Sequence, residues 1–310
     1  MKIHGDAGWQ SFPTYLPTTV PRILNLLAER GLTITFFVVG QDAALDGNAA
    51  ALAAIAAAGH EIGNHSFSHE PWFHLYDAQR CEDEIGHAEE CIERVTGQRP
   101  LGFRGPGFSC SDALISVLLR RGYLYDASSF PTFLGPLARL YYFLHMSALD
   151  KKERERRKRL FGTLRDGFAT LRPHLRRSGT LELVEVPVTT MPYCKLPFHA
   201  SYILYLSTFS RTLALSYFRF ALAACRTAGI QPSLLLHPLD FLGCDDVSSL
   251  SFFPAMSLPG EHKVALMGEL LDLFSREFTV LTMRQHASLA RTHLSPSAAG
   301  EAIPYQQARQ

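Results

Sequence analysis

The chain has 310 residues, 47% hydrophobic and 19% charged, with 30 Lys plus Arg against 29 Asp plus Glu and a formal net charge of +1. That composition supports a sizeable core and excludes global disorder, and the charge balance excludes a general nucleic-acid binder, which needs a basic excess. No stretch has the ~20 uninterrupted apolar residues of a membrane helix, the first ten residues lack the apolar run of a secretory signal, and six scattered cysteines without a CxxC pair read as reduced thiols of a cytoplasmic chain.

Residues 20–30 have the periodicity of an amphipathic helix. Residues 32–40, LTITFFVVG, are apolar on both faces, as in a buried parallel strand. An alanine-rich helix is expected over 42–58, then a short strand over 60–63 that opens into the polar turn 64–69. A charged helix over 77–96 leads to a strand over 101–104, a Gly-Pro-Gly turn at 105–107, a helix over 111–121 and a strand over 123–126. Further strands are expected at 181–188, 233–237 and 278–282, with helices over 151–171, 206–228 and 261–277. This alternation predicts an α/β fold, a (β/α) barrel or a doubly wound sheet, with polar residues gathered where the strands end. Residues 130–168, within an insertion of about 130–170, are apolar and then basic: residues 151–159 carry seven basic and two acidic side chains. They read as a solvated helix face or as a lip that makes peripheral contact with an anionic membrane or an acidic substrate. Residues 293–310 read as a tail after a single domain over 1–292.

Three motifs carry chemistry. In GHEIGNHSFSH, His65 and His69 have H-x-x-x-H spacing, which can converge on one divalent ion or arise by chance among 13 histidines. In GFRGPG, Arg104 ends a strand, where a guanidinium can hold a carboxylate in a bidentate contact or form a surface ion pair. In LLLHPLD, His237 closes an apolar run three residues before Asp240, as a general acid or a hydrogen-bonded core histidine would.

Taken in order, TFFVVG, HEIGNHSFSH, GFRGPG, a strand ending in Asp126, and LLLHPLD resemble the NodB-homology polysaccharide deacetylases, carbohydrate esterase family 4. The likeness covers roughly residues 18–126 and 180–290. It implies a distorted (β/α) barrel and a metal-dependent hydrolase that removes an acyl group, usually acetyl, from an amino sugar in a polysaccharide, oligosaccharide or lipid-linked glycan. By position, His65 and His69 match two ligands of a divalent cation, zinc favoured. Arg104 matches the residue that orients the catalytic carboxylate, and His237 the general acid, with Asp240 as an orienting neighbour. Leu235, Pro106 and Asp126 fall to the substrate side, Leu235 lining the acyl pocket. The implied partner is an N-acylated glycan.

The family's first motif is a strand ending in paired aspartates, one the general base and the other the third metal ligand. Here only MKIHG precedes Asp6, the sole acidic residue before Glu29. That is too short and polar for a buried strand. The favoured expectation is a native protein that carries the missing first strand upstream of Met1; the second is that Asp6 itself is the base or ligand. Two other functions stay open. One is a catalytically impaired, carbohydrate-binding relative that uses Trp72, Phe108, Tyr125 and Phe130 as sugar platforms; the other is a small-amide C–N hydrolase on the same barrel.

Overall fold

A computed structural model describes residues 13–135, 164–247, 250 and 255–294. Asp6, the basic run at 151–159 and most of the 130–170 segment lie outside the described residues.

The order of elements follows the hydrophobic pattern. Helix α1 (Leu16–Ala28) buries Val20, Ile23, Leu26 and Leu27, and strand β1 (Thr35–Val38) follows. The expected alanine-rich helix is broken into α2 (Gly40–Ala43), a single 3₁₀ turn and α3 (Ala49–Ala57). Strand β2 (Glu61–Asn64) leads to α4 (Ala78–Thr96), which Asp77 caps by accepting from the Arg80 N–H and which Gly97 ends in a left-handed conformation. Strand β3 (Gly102–Phe103) precedes α5 (Asp112–Arg120), capped by Ser111, and then β4 (Tyr125–Asp126). Beyond the insertion come β5 (His174–Ser178), β6 (Leu181–Glu185), α6 (Ala200–Ser207), α7 (Arg211–Thr227), α8 (Gly260–Glu277) and α9 (Met283–Leu294).

The strands form one sheet in the order β1-β2-β3-β4-β6-β5. All pairs are parallel except β5 with β6. This is the expected mixed α/β architecture with a parallel sheet. Several local expectations change. Strand β5 falls where no strand was predicted; it joins β6 through the two-residue loop Gly179–Thr180, with Gly179 at φ +60°. Residues 233–237 and 278–282 belong to no sheet among the described residues. In the first of these, the Ser233 N–H donates to Thr189 Oγ1, and the Leu235 carbonyl accepts from the Ala200 N–H that opens α6, so backbone groups are satisfied without a strand ladder. Helix α9 also runs two residues past the expected domain end at 292.

The sheet has two chemically distinct faces. Phe103, Leu183 and Trp72 pack with Leu114 and Leu118 of α5 on one face. Tyr125, Val184 and Phe37 pack with Ala287 and Ala290 of α9 on the other. Because side chains alternate along a strand, neighbouring residues at the strand ends are delivered to opposite sides.

Candidate active site

The histidine turn is built by hydrogen bonds that replace the ladder. Asn64, fully buried at the end of β2, donates from its amide to the Ile85 carbonyl (3.0 Å) and Tyr123 Oη (2.9 Å), and accepts the Ser66 N–H (2.9 Å). Glu84 of α4 accepts the Phe67 and Ser68 N–H groups at 3.0 and 2.8 Å and the Ser68 hydroxyl at 2.6 Å. Ser66 (φ +61°) and His69 (φ +55°) are held in left-handed conformations. Such non-glycine backbone costs of order 1–3 kcal/mol per residue and persists only where surrounding contacts over-determine it.

The turn sets the His65 and His69 rings side by side, centroids 4.8 Å apart and planes at 68°. His65 Nδ1 lies 2.5 Å from the Arg104 carbonyl. A proton on Nδ1 satisfies that carbonyl and leaves Nε2 with its lone pair. Burial, followed by the neighbouring His69, holds the His65 imidazole well below its ordinary pKa, hence neutral. A neutral imidazole oriented by a carbonyl behind it is the form in which histidine ligates a metal.

Arg104 is 8% exposed, its guanidinium carbon 4.5 Å from the centre of the Phe37 ring. This excludes the surface ion pair. Its Nε donates to the Ala127 carbonyl at 3.0 Å, a backbone acceptor rather than the expected carboxylate. Burial brings its pKa down to about 10, still a cation at neutral pH. Beyond it, Pro106 is buried at the head of a 3₁₀ turn, and Phe108 (φ +61°) starts a row of rings. Phe108 meets Phe130 at 4.4 Å, Phe130 meets His199 at 5.4 Å, and His199 meets Tyr202 at 4.8 Å.

His237 is half exposed and begins a 3₁₀ turn over Pro238–Phe241. Its N–H donates to Asp240 Oδ2 at 2.8 Å, its Nδ1 is 3.1 Å from Ser201 Oγ, and Ser201 donates to Asp240 Oδ1 at 2.8 Å. Asp240 thus accepts from the His237 backbone and from the Ser201 hydroxyl that faces the His237 ring. His237 is near enough to both His65 and His199 to disfavour protonation of either ring. The fold thus brings together residues that are some 170 positions apart in the sequence.

Other expectations fare differently. Asp126 is fully buried and does not line a groove. It pairs in register with Phe103 and Glu185, on the face turned toward α5, so alternation carries it away from the imidazoles. Burial, and then Glu185, push its carboxyl well above the usual carboxylate range. Leu235 is buried. Tyr125 and Trp72 are 0% and 4% exposed and cannot serve as sugar platforms; Phe108 and Phe130 are half buried. Two contributors escaped the sequence reading, His199 and Lys263. His199 sits in no motif, and its one signal is proximity to the helix start at Ala200. Lys263, 1% exposed, donates from Nζ to the Leu239 and Leu242 carbonyls, both at 2.6 Å, and so clamps the turn behind His237.

His65 and His69 fit two positions of a divalent ion, by ring separation and by the protonation state that the Arg104 carbonyl imposes. Among the described residues no Asp, Glu, Cys or further His completes a set of three with them.

Residues 5–125 match the family model described as polysaccharide deacetylase. The chain is 34% identical over 125 residues to the peptidoglycan deacetylase-like protein FGM2 of Gibberella zeae, an alignment that covers 40% of this chain and 35% of that protein. It is 32% identical over 109 residues to a peptidoglycan deacetylase of Helicobacter pylori, covering 35% and 36% respectively. The aligned part spans about a third of the length of these relatives. Among solved structures, a Mycobacterium smegmatis protein provisionally described as a polysaccharide deacetylase superposes with a TM-score of 0.60 at 23% identity, covering 91% of this chain and 80% of that one. At that identity the likeness establishes the shared fold.

Proposed function

We propose that this chain, whose residues 5–125 match the polysaccharide deacetylase family model, is a hydrolase that removes an N-acyl group, acetyl favoured, from an amino sugar of a glycan. The observation that carries the proposal is the neutral, carbonyl-oriented His65 paired with His69 on the same rim as His237. His65 and His69 would hold a divalent cation, zinc favoured, which when bound polarises the acyl carbonyl and lowers the pKa of water. The described residues supply positioning and the proton for the leaving group, and the acceptor of the water proton is the carboxylate of the family's first motif, expected at Asp6 or upstream. Arg104 acts as a positioning residue, its carbonyl fixing the His65 ring and its buried cation adding positive potential beneath the turn. With Nδ1 engaged by Ser201, which in turn donates to Asp240, the His237 ring would use Nε2 to protonate the leaving sugar amine. The Phe108, Phe130 and Tyr202 rings supply apolar faces on which a pyranose can stack.

The test is acetate release from acetylated chito-oligomers and peptidoglycan fragments, run beside small amides, with bound metal quantified. We expect release from the glycans, loss of metal and of turnover in His65→Ala and His69→Ala, and a drop of about 10²–10⁴ in kcat with metal retained in His237→Ala. Glycan binding with no release by a metal-loaded chain would replace the hydrolase with a carbohydrate-binding relative. Turnover confined to small amides would replace the substrate class.

A further inference from the structure

A second cluster lies on the other face of the sheet. Cys110 Sγ, an Asp126 carboxylate oxygen and a Glu185 carboxylate oxygen lie within 4.8 Å of one another. Asp126 and Glu185 are 0% and 1% exposed and are paired across β4 and β6, and Cys110 stands immediately before the Ser111 cap of α5. Outer atoms of both carboxylates are engaged elsewhere: Ser128 Oγ donates to Asp126 Oδ1 at 2.6 Å, and the Ser129 N–H and hydroxyl donate to Glu185 Oε1 at 3.0 and 2.6 Å. That leaves Asp126 Oδ2, which accepts from the Cys110 thiol at 3.8 Å, and Glu185 Oε2, a buried oxygen that meets no donor other than a protonated Asp126 carboxyl. An unsatisfied buried carboxylate oxygen costs several kcal/mol unless something cationic meets it. Arg176, whose Nη2 is 3.3 Å from Cys110 Sγ, supplies a single positive charge beside the thiol.

We propose that Cys110, Asp126 and Glu185 form a binding site for a borderline-soft divalent cation of the zinc class, separate from the histidine pair. One sulfur and two carboxylate oxygens are the donors such an ion accepts. The 3.8 Å gap between sulfur and Oδ2 is close to the roughly 3.5 Å edge of a tetrahedron with Zn–S near 2.3 Å and Zn–O near 2.0–2.2 Å. With the acids ionised and the thiol deprotonated, three anionic ligands, one divalent ion and the Arg176 guanidinium sum to neutrality, so the ion takes the place of the protons that burial otherwise keeps on Asp126 and Cys110. Cys110 is only partly buried, so the sulfur is the side from which an ion enters. The ion would tie the strand ends of β4 and β6 to the start of α5.

Titration of the metal-free full chain with Co²⁺ alone tests this. We expect a near-ultraviolet sulfur-to-cobalt charge-transfer band that saturates at one equivalent. The band should be lost in Cys110→Ser and Glu185→Gln, and kept in the His65→Ala/His69→Ala chain and in Cys194→Ser/Cys244→Ser. No such band, or one that survives Cys110→Ser, overturns the site. A reading independent of mutant folding is alkylation of Cys110 in the unaltered chain, mapped by mass spectrometry. Zn²⁺ should slow it at least tenfold, and an unchanged rate also overturns the proposal. Because the histidine variant carries the expected band, failure of the deacylase reading leaves this one standing.

Discussion

His199 shows what burial does to a titrating residue at this rim. Desolvation, and then the positive charges of His237 and Arg104, push its imidazole down to about 3, against about 6.5 in an unfolded chain. Its folded pKa is depressed, so it contributes no pH dependence above about 6.5. Below that the unfolded state takes up a proton that the folded state refuses, and stability falls until pH 3 is approached. Each unit is worth about 1.4 kcal/mol, so roughly 2 kcal/mol is lost between pH 6.5 and pH 5. His65 shifts in the same direction. His199→Phe should therefore lessen the slope of urea midpoint against pH without abolishing it; a slope equal to that of the unaltered chain would refute the assignment. Gly105 is constrained by space: a Cβ there would sit 2.0 Å from the Ser109 carbonyl oxygen. That backbone cannot yield cheaply, and Gly105→Ala should cost about 2–3 kcal/mol in chemical denaturation.

At the scale of elements, the turn that carries His237 is held from behind by α8. Lys263 brings a buried ammonium to two carbonyls of that turn and to Met256 Sδ. Lys263→Met keeps the stem but orphans the Leu242 carbonyl, at about 1–3 kcal/mol, and leaves the Leu239 carbonyl with the Leu242 N–H alone. We expect a lower urea midpoint and a kcat reduced more than KM changes, because the His237 ring loses its fixed support. Equal effects on kcat and on bound metal would instead point to a general loss of fold. Strand β5 teaches a different lesson about elements. Its residues HLRRS carry little apolar alternation, and the cue that was present, Gly-Thr immediately before LELVE, is a hairpin signal.

Across the whole molecule, one carboxylate closes the chain on itself. Glu61 of β2 accepts Tyr125 Oη (2.9 Å), Thr35 Oγ1 (2.6 Å) and the Arg284 N–H (2.9 Å), while the Met283 N–H donates to Thr35 Oγ1. It thus joins β1, β2 and β4 to the first turn of α9, where a negative charge also suits the helix dipole. Thr282 and Gln285 add a reciprocal cap at the same end. Glu61→Ala strands the buried Tyr125 hydroxyl and should cost about 3 kcal/mol, with amide exchange rising selectively over residues 283–294. Glu61→Gln keeps an acceptor and should cost less. Uniform exchange across the chain would show that α9 is not held by this contact.

The order of helices and strands as far as Asp126, the parallel α/β class and the histidine turn were legible in the sequence, because hydrophobic period and short motifs are local. The pairing of β5, the unpaired course of residues 233–237 and the membership of His199, Lys263 and Glu61 were decided only by the tertiary structure. Each depends on partners far along the chain: the Ala200 N–H for Leu235, the Leu239 and Leu242 carbonyls for Lys263, and Tyr125 for Glu61. Asp126 makes the physical reason plain. A residue's type and its place at a strand end can be read in sequence, but which face of the sheet it occupies follows from register, and register is a property of the assembled strands.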